Sequence, residues 1–206
     1  MARILIATSN AGKLRDFAGA AAGHGIEVAG IADFASLPRV IEDGETFEAN
    51  ARKKAQAYSR HVPSELVLAD DSGLKVDALG GAPGVHSARY AAAKGDTGNA
   101  SDQQNNARLL RELSDLPSQK RTARFVCAIA IARDGKVLQT FFGEAAGVIL
   151  DAPRGTNGFG YDPLFFSAEA RKTFAELNAE EKAQYSHRGR AFAELLKWML
   201  QSRMSF

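Results

Sequence analysis

Leu66-Val67-Leu68-Ala69-Asp70-Asp71-Ser72-Gly73, followed by Gly80-Gly81-Ala82-Pro83-Gly84, reads as a buried strand that runs straight into two carboxylates and then a glycine-rich bend. The spacing predicts a strand over Leu66–Ala69 with both acids at its carboxyl end. Adjacent acids there face each other in poor solvent unless a metal ion, a cation or water reaches them. A divalent metal ion with a phosphate ligand is one solution. Simple capping of the turn is the other.

Outward from this stretch, strand and helix signals alternate and then the strands bunch, the pattern of an α/β protein with a mixed sheet. Arg3–Ala7 is a short buried strand; Leu14, Phe17, Ala18, Ala21 and Ala22 recur at helical spacing; a second strand follows over Ile26–Ala29. A long helix is expected from Thr46 to about Arg60. Ser101 and Gln104 form a capping-box pair, opening a helix that buries Leu109, Leu110 and Leu113. Two long strands, Ala123–Ala132 and Val137–Phe142 with a continuation to Leu150, are joined by the hairpin turn Arg133-Asp134-Gly135-Lys136. The last helix carries Phe192, Leu195, Leu196, Met199 and Leu200 on one face and is expected to pack.

Composition narrows the class. A chain of 206 residues, 45% of them apolar, can bury a full core and is read as one domain over 1–206 with two lobes. Lysine and arginine total 26 against 24 acids, a formal charge of +2, which argues against a nucleic-acid coat. Cys127 lies within Phe125-Val126-Cys127-Ala128-Ile129-Ala130-Ile131 and reads as a packed strand residue. The run Ile4-Leu5-Ile6-Ala7 is too short for a signal-peptide core or a membrane span, so a soluble cytoplasmic protein without a membrane or nucleic-acid partner is expected.

Four further segments carry chemistry. Thr8-Ser9-Asn10-Ala11-Gly12-Lys13 leaves the first strand and opens a helix, a natural anion site to which Lys13 adds a full charge. It lacks the glycine spacing and Lys-Ser/Thr pair of a P-loop, and Asn10 as an ordinary N-cap is the plainer reading. Glu42-Asp43-Gly44 precedes the Thr46 helix. Phe159 and Tyr161 stand between glycines in Gly158-Phe159-Gly160-Tyr161-Asp162-Pro163 and can offer a flat face to a base or form a packed aromatic turn. Ser186-His187-Arg188-Gly189 combines helix-start donors with a cation, although His187 on its own reads as satisfying a carbonyl.

In this order, these segments resemble the inosine/xanthosine triphosphate pyrophosphatase family, enzymes that remove deaminated purine nucleotides from the nucleotide pool. The resemblance runs from Ile4 to Phe192 and includes Ser87-Ala88-Arg89-Tyr90. It implies an elongated two-lobed α/β fold, a central mixed sheet flanked by helices with a cleft between the lobes, assembly as a homodimer, and a need for Mg²⁺. The implied reaction cleaves a purine nucleoside triphosphate to the monophosphate and pyrophosphate. Carried onto matching positions, the resemblance assigns the metal to Glu42 and Asp71, with Asp71 also the base that activates water. Asp43 and Glu45 are neighbours that compete for the role given to Glu42. Ser72 would touch substrate, and Thr8, Ser9, Asn10, Ala11, Gly12 and Lys13, helped by Lys54, would hold phosphates. Phe159, Gly160, Tyr161 and Asp162 would line the nucleotide pocket, with Lys182, His187 and Arg188 approaching base and phosphates. Lys13, Lys54, Lys182, Arg188 and one Mg²⁺ then total about +6 against about −2 for the two metal-holding acids, a surplus suited to a triphosphate. One departure stands out: the family usually has Glu immediately before Asn50, where this chain has Ala49. With Thr46 as N-cap, Ala49 is the third helical residue, so a capping box cannot close, at a cost of about 1 kcal/mol of helix stability.

Overall fold

The computed structural model describes residues 2–93 and 98–202. Seven strands form one mixed sheet: β1 (Ala2–Ile6), β2 (Ile26–Gly30), β3 (Leu66–Val76), β4 (Thr122–Arg133), β5 (Lys136–Ile149), β6 (Phe165–Ser167) and β7 (Lys172–Thr173). Their order is β2-β1-β3-β4-β5-β6-β7, with β1 parallel to both β2 and β3 and every later pair antiparallel. Among the described residues five α-helices accompany them: α1 (Ala11–Ala21), α2 (Phe47–Tyr58), α3 (Asp102–Glu112), α4 (Ala179–Tyr185) and α5 (His187–Gln201). The hairpin between β4 and β5 turns on Asp134 and Gly135, both at positive φ, the conformation that matches strand twist in a two-residue loop.

One expectation is corrected. The strand expected over Leu66–Ala69 continues to Val76, so Asp70 and Asp71 sit in mid-strand, paired in register with Ile129 and Ala128 of β4. The continuation comes from β4, whose apolar run supplies a complete antiparallel ladder alongside the polar half of β3. On the opposite side, β1 pairs with β3 only as far as Leu68. The edge of β3 toward β1 is therefore released where the acids begin, and the loop leaving β1 passes there.

Strand pleating sends alternate residues to opposite faces. Leu66 and Leu68 pack with Phe17 of α1 and Phe192 and Leu195 of α5. Val67 and Ala69 pack with Phe47, Ala51 and Ala55 of α2. Farther along, Leu74 and Val76 join a third cluster with Leu109 of α3, Leu113 just past its end, and Phe165 and Phe174. The long strands β3, β4 and β5 span both ends, which gives two lobes on one sheet, and the two acids lie where the clusters meet. Helix α5 reaches that junction because residue 143 of β5 is glycine: a Cβ there would stand 2.1 Å from the carbonyl oxygen of His187.

Candidate active site

Asp70 and Asp71 are both buried, 3% and 7% exposed, yet they meet different partners. Asp70 faces α1 and α5. Lys13 Nζ lies 2.9 Å from each of its carboxylate oxygens and Arg188 Nε 3.5 Å from Oδ2. Ser72 Oγ donates to Asp70 Oδ2 at 2.9 Å and accepts from Arg188 Nη2 at 2.7 Å. Burial alone would push the Asp70 carboxyl up, but Lys13, Arg188 and Lys54 together hold it well below the usual carboxylate range.

Asp71 faces α2. Asn50 Nδ2 donates to Asp71 Oδ2 at 2.9 Å, the Ser72 backbone N–H donates to Oδ1 at 3.0 Å, and Lys54 Nζ stands 3.9 Å from Oδ1. Here burial prevails over Lys54 and Lys13, and the carboxyl is raised above the ordinary aspartate value. Lys54 also binds Glu42 Oε2 at 2.7 Å, so one ammonium joins the loop acid to the strand acid. Burial opposes the charge on Lys54, while Asp71, Asp70 and Glu42 more than restore it and raise its pKa. Of the acids around residue 42, Asp43 turns outward to Lys53 at 2.6 Å, which leaves Glu42 as the one that meets Lys54.

In the Thr8–Lys13 loop the plainer reading, Asn10 as an ordinary N-cap, is the one observed. Asn10 caps α1, its Oδ1 accepting from the N–H groups of Gly12 at 2.8 Å and Lys13 at 3.1 Å, and Thr8 Oγ1 accepts from Asn10 N–H. Lys13 is nonetheless turned inward to Asp70. The Phe159 ring covers Gly12, where a Cβ would come within 2.4 Å of the ring, and the same ring lies 5.3 Å from Lys182 Nζ and 4.9 Å from Arg188 Cζ.

Asp162 is 2% exposed and accepts from Phe159 N–H at 3.0 Å and Lys182 Nζ at 2.6 Å. Burial exceeds the pull of Lys182 and raises its carboxyl. Asp16 on α1 completes a chain that the sequence reading missed, its two oxygens lying 3.4 Å from Lys182 Nζ and 3.1 Å from Arg188 Nη1. Lys13, Asp70, Arg188, Asp16, Lys182 and Asp162 thus alternate in sign from the α1 loop to the aromatic loop. Counting Asp70, Asp16 and Asp162 beside Glu42 and Asp71, the four cations face five carboxylates. Even with one Mg²⁺ counted, the surplus of about +4 expected from sequence shrinks to about +1, because Asp70, Asp16 and Asp162 already hold the cations in place.

Two of the expected residues lie deeper. Tyr161 is 4% exposed, packs in the cluster around α3 and donates its hydroxyl to the Ser87 carbonyl at 2.8 Å. Gly160, in contrast, is held from outside, its N–H donating to Asp102 at 2.7 Å and its carbonyl accepting from Asn106 at 3.0 Å. His187 is 1% exposed and stacks on Phe125 at 4.6 Å between ring centroids, 7° from parallel. Neither of its ring nitrogens has a hydrogen-bond partner among the described residues. Burial, then Arg188 and Lys182, hold its pKa well below the ordinary histidine value, so the ring is neutral. Asn50, like Asp16, escaped the sequence reading; a single amide on an amphipathic helix carries no spacing signal.

The donor set fits a divalent ion of the magnesium type. Glu42 and Asp71 already share one cation, Lys54, and among the described residues no group of three His, Cys, Asp or Glu side chains forms a self-sufficient metal cage. Magnesium commonly uses one or two carboxylates and completes its shell with water and phosphate oxygens. Among the described residues no helix is long and apolar enough to cross a membrane.

Comparison with known proteins gives a consistent result. Residues 4–198 match the Ham1 family. A dITP/XTP pyrophosphatase of Geobacter sulfurreducens is 52% identical over 195 residues, covering 95% of each chain. Among solved structures, the Ham1 protein of Staphylococcus aureus superposes with a TM-score of 0.79 at 38% identity, covering 97% of this chain and 99% of that one. A HAM1 protein from Coxiella burnetii gives 0.80 at 36% identity, covering 98% and 100%.

Proposed function

Since the chain belongs to the Ham1 family, we propose that it hydrolyses noncanonical purine nucleoside triphosphates, dITP, ITP, XTP and dXTP, to the monophosphate and pyrophosphate. The observation that carries this reading is the pairing of a buried carboxylate, Asp71, with a chain of buried cations leading to an aromatic loop.

Asp71 accepts a proton from water as the water oxygen attacks the α-phosphorus in line. The new P–O bond forms as the bond to the bridging oxygen breaks, and pyrophosphate leaves with the electron pair. Attack at the β-phosphorus gives the same products, and isotope placement distinguishes the two. Asn50 and the Ser72 N–H hold the Asp71 carboxylate through the reaction. Lys13, Lys54 and Arg188 neutralise the phosphates, and Ser72 fixes the guanidinium. A Mg²⁺ ion bound by Glu42 and Asp71 would withdraw charge from the phosphate oxygens.

In this reading the base lies against Phe159; the positions of Lys182 and Arg188 beside the same ring support it. Hypoxanthine and xanthine present a 6-keto acceptor where adenine has an amino donor, so donors aimed at that oxygen reject adenine by roughly 10⁴ or more. His187, neutral and with no ring-nitrogen partner among the described residues, retains hydrogen-bonding capacity for the base. The proposal extends to the whole chain acting as one domain, as a homodimer, in the cytoplasm, on free nucleotides rather than on nucleic acid or membranes. Light scattering tests the dimer.

The deciding experiment incubates the protein and Mg²⁺ with dITP, XTP, dATP, dGTP and dTTP and quantifies all four phosphate products by anion exchange. Monophosphate plus pyrophosphate from dITP and XTP alone is expected. Diphosphate plus orthophosphate, or no turnover, overturns the mechanism.

A further inference from the structure

Asn50 lies in the first turns of α2 and is 1% exposed. Its amide makes three hydrogen bonds. Oδ1 accepts from Gly44 N–H at 2.8 Å, and Nδ2 donates both to the Gly44 carbonyl at 3.3 Å and to Asp71 Oδ2 at 2.9 Å. One side chain therefore grips both polar groups of a loop residue and, with its remaining proton, a carboxylate of the central strand. The fit is close on the loop side too. A Cβ at Gly44 would stand 2.6 Å from Asn50 Oδ1 and 2.9 Å from Ala49 Cβ.

Glu42 is two residues before Gly44, and Lys54 is one helical turn beyond Asn50 on the same face of α2. Both helix residues bridge the loop to the strand. The Lys54 bridge is electrostatic, reaching Asp71 only at 3.9 Å, and any cation or phosphate entering the site alters it. The Asn50 bridge is made by a neutral amide and keeps its geometry when charges enter.

We infer that Asn50 is a positioning residue that sets the separation and orientation of the two carboxylates, Glu42 and Asp71, to which a divalent cation would bind. The inference rests on the metal reading given under the proposed function. By donating to Oδ2 of Asp71, Asn50 leaves Oδ1 on the side that Lys54 and Glu42 share. Partners behind metal-binding side chains commonly account for 10–100-fold in metal affinity.

The test counts bound Mn²⁺ by electron paramagnetic resonance, on nucleotide-free protein titrated into the millimolar range. Four variants are compared with the parent: Asn50→Ala, Gly44→Ala, Glu42→Gln and Asp71→Asn. Gly44→Ala disturbs the clip from the loop side without altering Asn50, and so provides a second reading should Asn50→Ala fail to fold. Mn²⁺ affinity is expected to fall about tenfold or more in both clip variants, while circular dichroism shows a native-like fold and the KM for dITP at saturating Mg²⁺ moves less than threefold. A merely structural amide would change the thermal midpoint and leave Mn²⁺ affinity at the parent value in the folded variants, which overturns the inference. Failure of Glu42→Gln and Asp71→Asn to weaken Mn²⁺, or no Mn²⁺ binding by the parent protein, overturns the metal reading itself.

Discussion

The two faces of β3 hold the same side chain one residue apart and give it opposite properties. Toward α1 and α5, Asp70 is clasped by Lys13, Arg188 and Ser72 and stays ionised far into acid. Toward α2, Asp71 meets an amide and a more distant ammonium, and burial raises its pKa. Residue type is identical and exposure nearly so; the elements that the pleat turns each acid toward decide which is an anchor and which can take a proton. A carboxylate locked between two cations is a poor base, because proton uptake would strip both of their partner. The one held mainly by a neutral donor is free to accept a proton and to share a metal ion.

The comparison breaks first on activity. Asp71→Asn is expected to lower kcat by about 10³ or more, the scale of a lost general base together with half of a metal site, while triphosphate binding survives. Asp70→Asn should instead raise KM and leave a measurable kcat, since it loosens Lys13 and Arg188 without removing the base. Steady-state kinetics on dITP separate the two. Equal losses in kcat for both variants would show that the faces do not divide the work.

Stability sharpens the same contrast, and here the signs oppose. Replacing Asp70 leaves buried Arg188 and partly buried Lys13 short of their partner and should cost about 3 kcal/mol at neutral pH, read as a fall in the urea midpoint of metal-free protein. Replacing Asp71 removes a carboxylate whose charged form the fold disfavours, so its midpoint at neutral pH should rise.

The pH dependence carries a smaller version of this effect. Asp70 has a folded pKa below the unfolded value of 3.8, so its contribution is complete above that value and is lost as pH falls from there toward the lower folded pKa. Asp71 has a folded pKa above 3.8, so its contribution is greatest below 3.8 and is lost as pH rises through the folded pKa. Urea midpoints of the metal-free parent and of Asp70→Asn, followed from neutral pH to below pH 3.8, should converge at the acid end. A constant gap between them would show that Asp70 contributes through shape and not charge.

Much of the Asp70 face was legible in the sequence, because its parts recur in order: a strand, the Thr8–Lys13 loop opening α1, and Ser186-His187-Arg188 opening α5, where Ser186 does cap the helix through Gly189 N–H at 3.1 Å. The extension of β3 past its acids was not, since a strand with Asp-Asp-Ser-Gly in its second half is stabilised by a ladder with β4, some 55 residues away. Asp16 and Asn50 were hidden for a related reason. Each is one polar residue among several on its helix, and only the packing of that helix reveals whether it meets solvent or a buried charge. The two short strands β6 and β7 gave no pattern long enough to read.

The smallest effect concerns how α2, the support of the Asp71 face, begins. The helix starts α3 and α4 have closed capping boxes, Ser101 with Gln104 and Asn178 with Glu181, whereas α2 has half of one: Thr46 Oγ1 accepts from Ala49 N–H at 3.1 Å, and Ala49 has nothing to return to Thr46 N–H. Ala49 is exposed, so Ala49→Glu can supply that acceptor in the first turn, where a negative charge suits the helix dipole. Glu45 and Glu48 stand nearby and trim the gain by repulsion. The expected result is about 0.5–1 kcal/mol of added stability, a rise of roughly 1–4 °C in Tm for a chain of this size, with kcat and Mn²⁺ affinity unchanged. Should Mn²⁺ affinity rise as well, the start of α2 and the Asn50 clip would be one mechanical unit, and the neutral side of β3 would owe its geometry to helix stability as much as to a single amide.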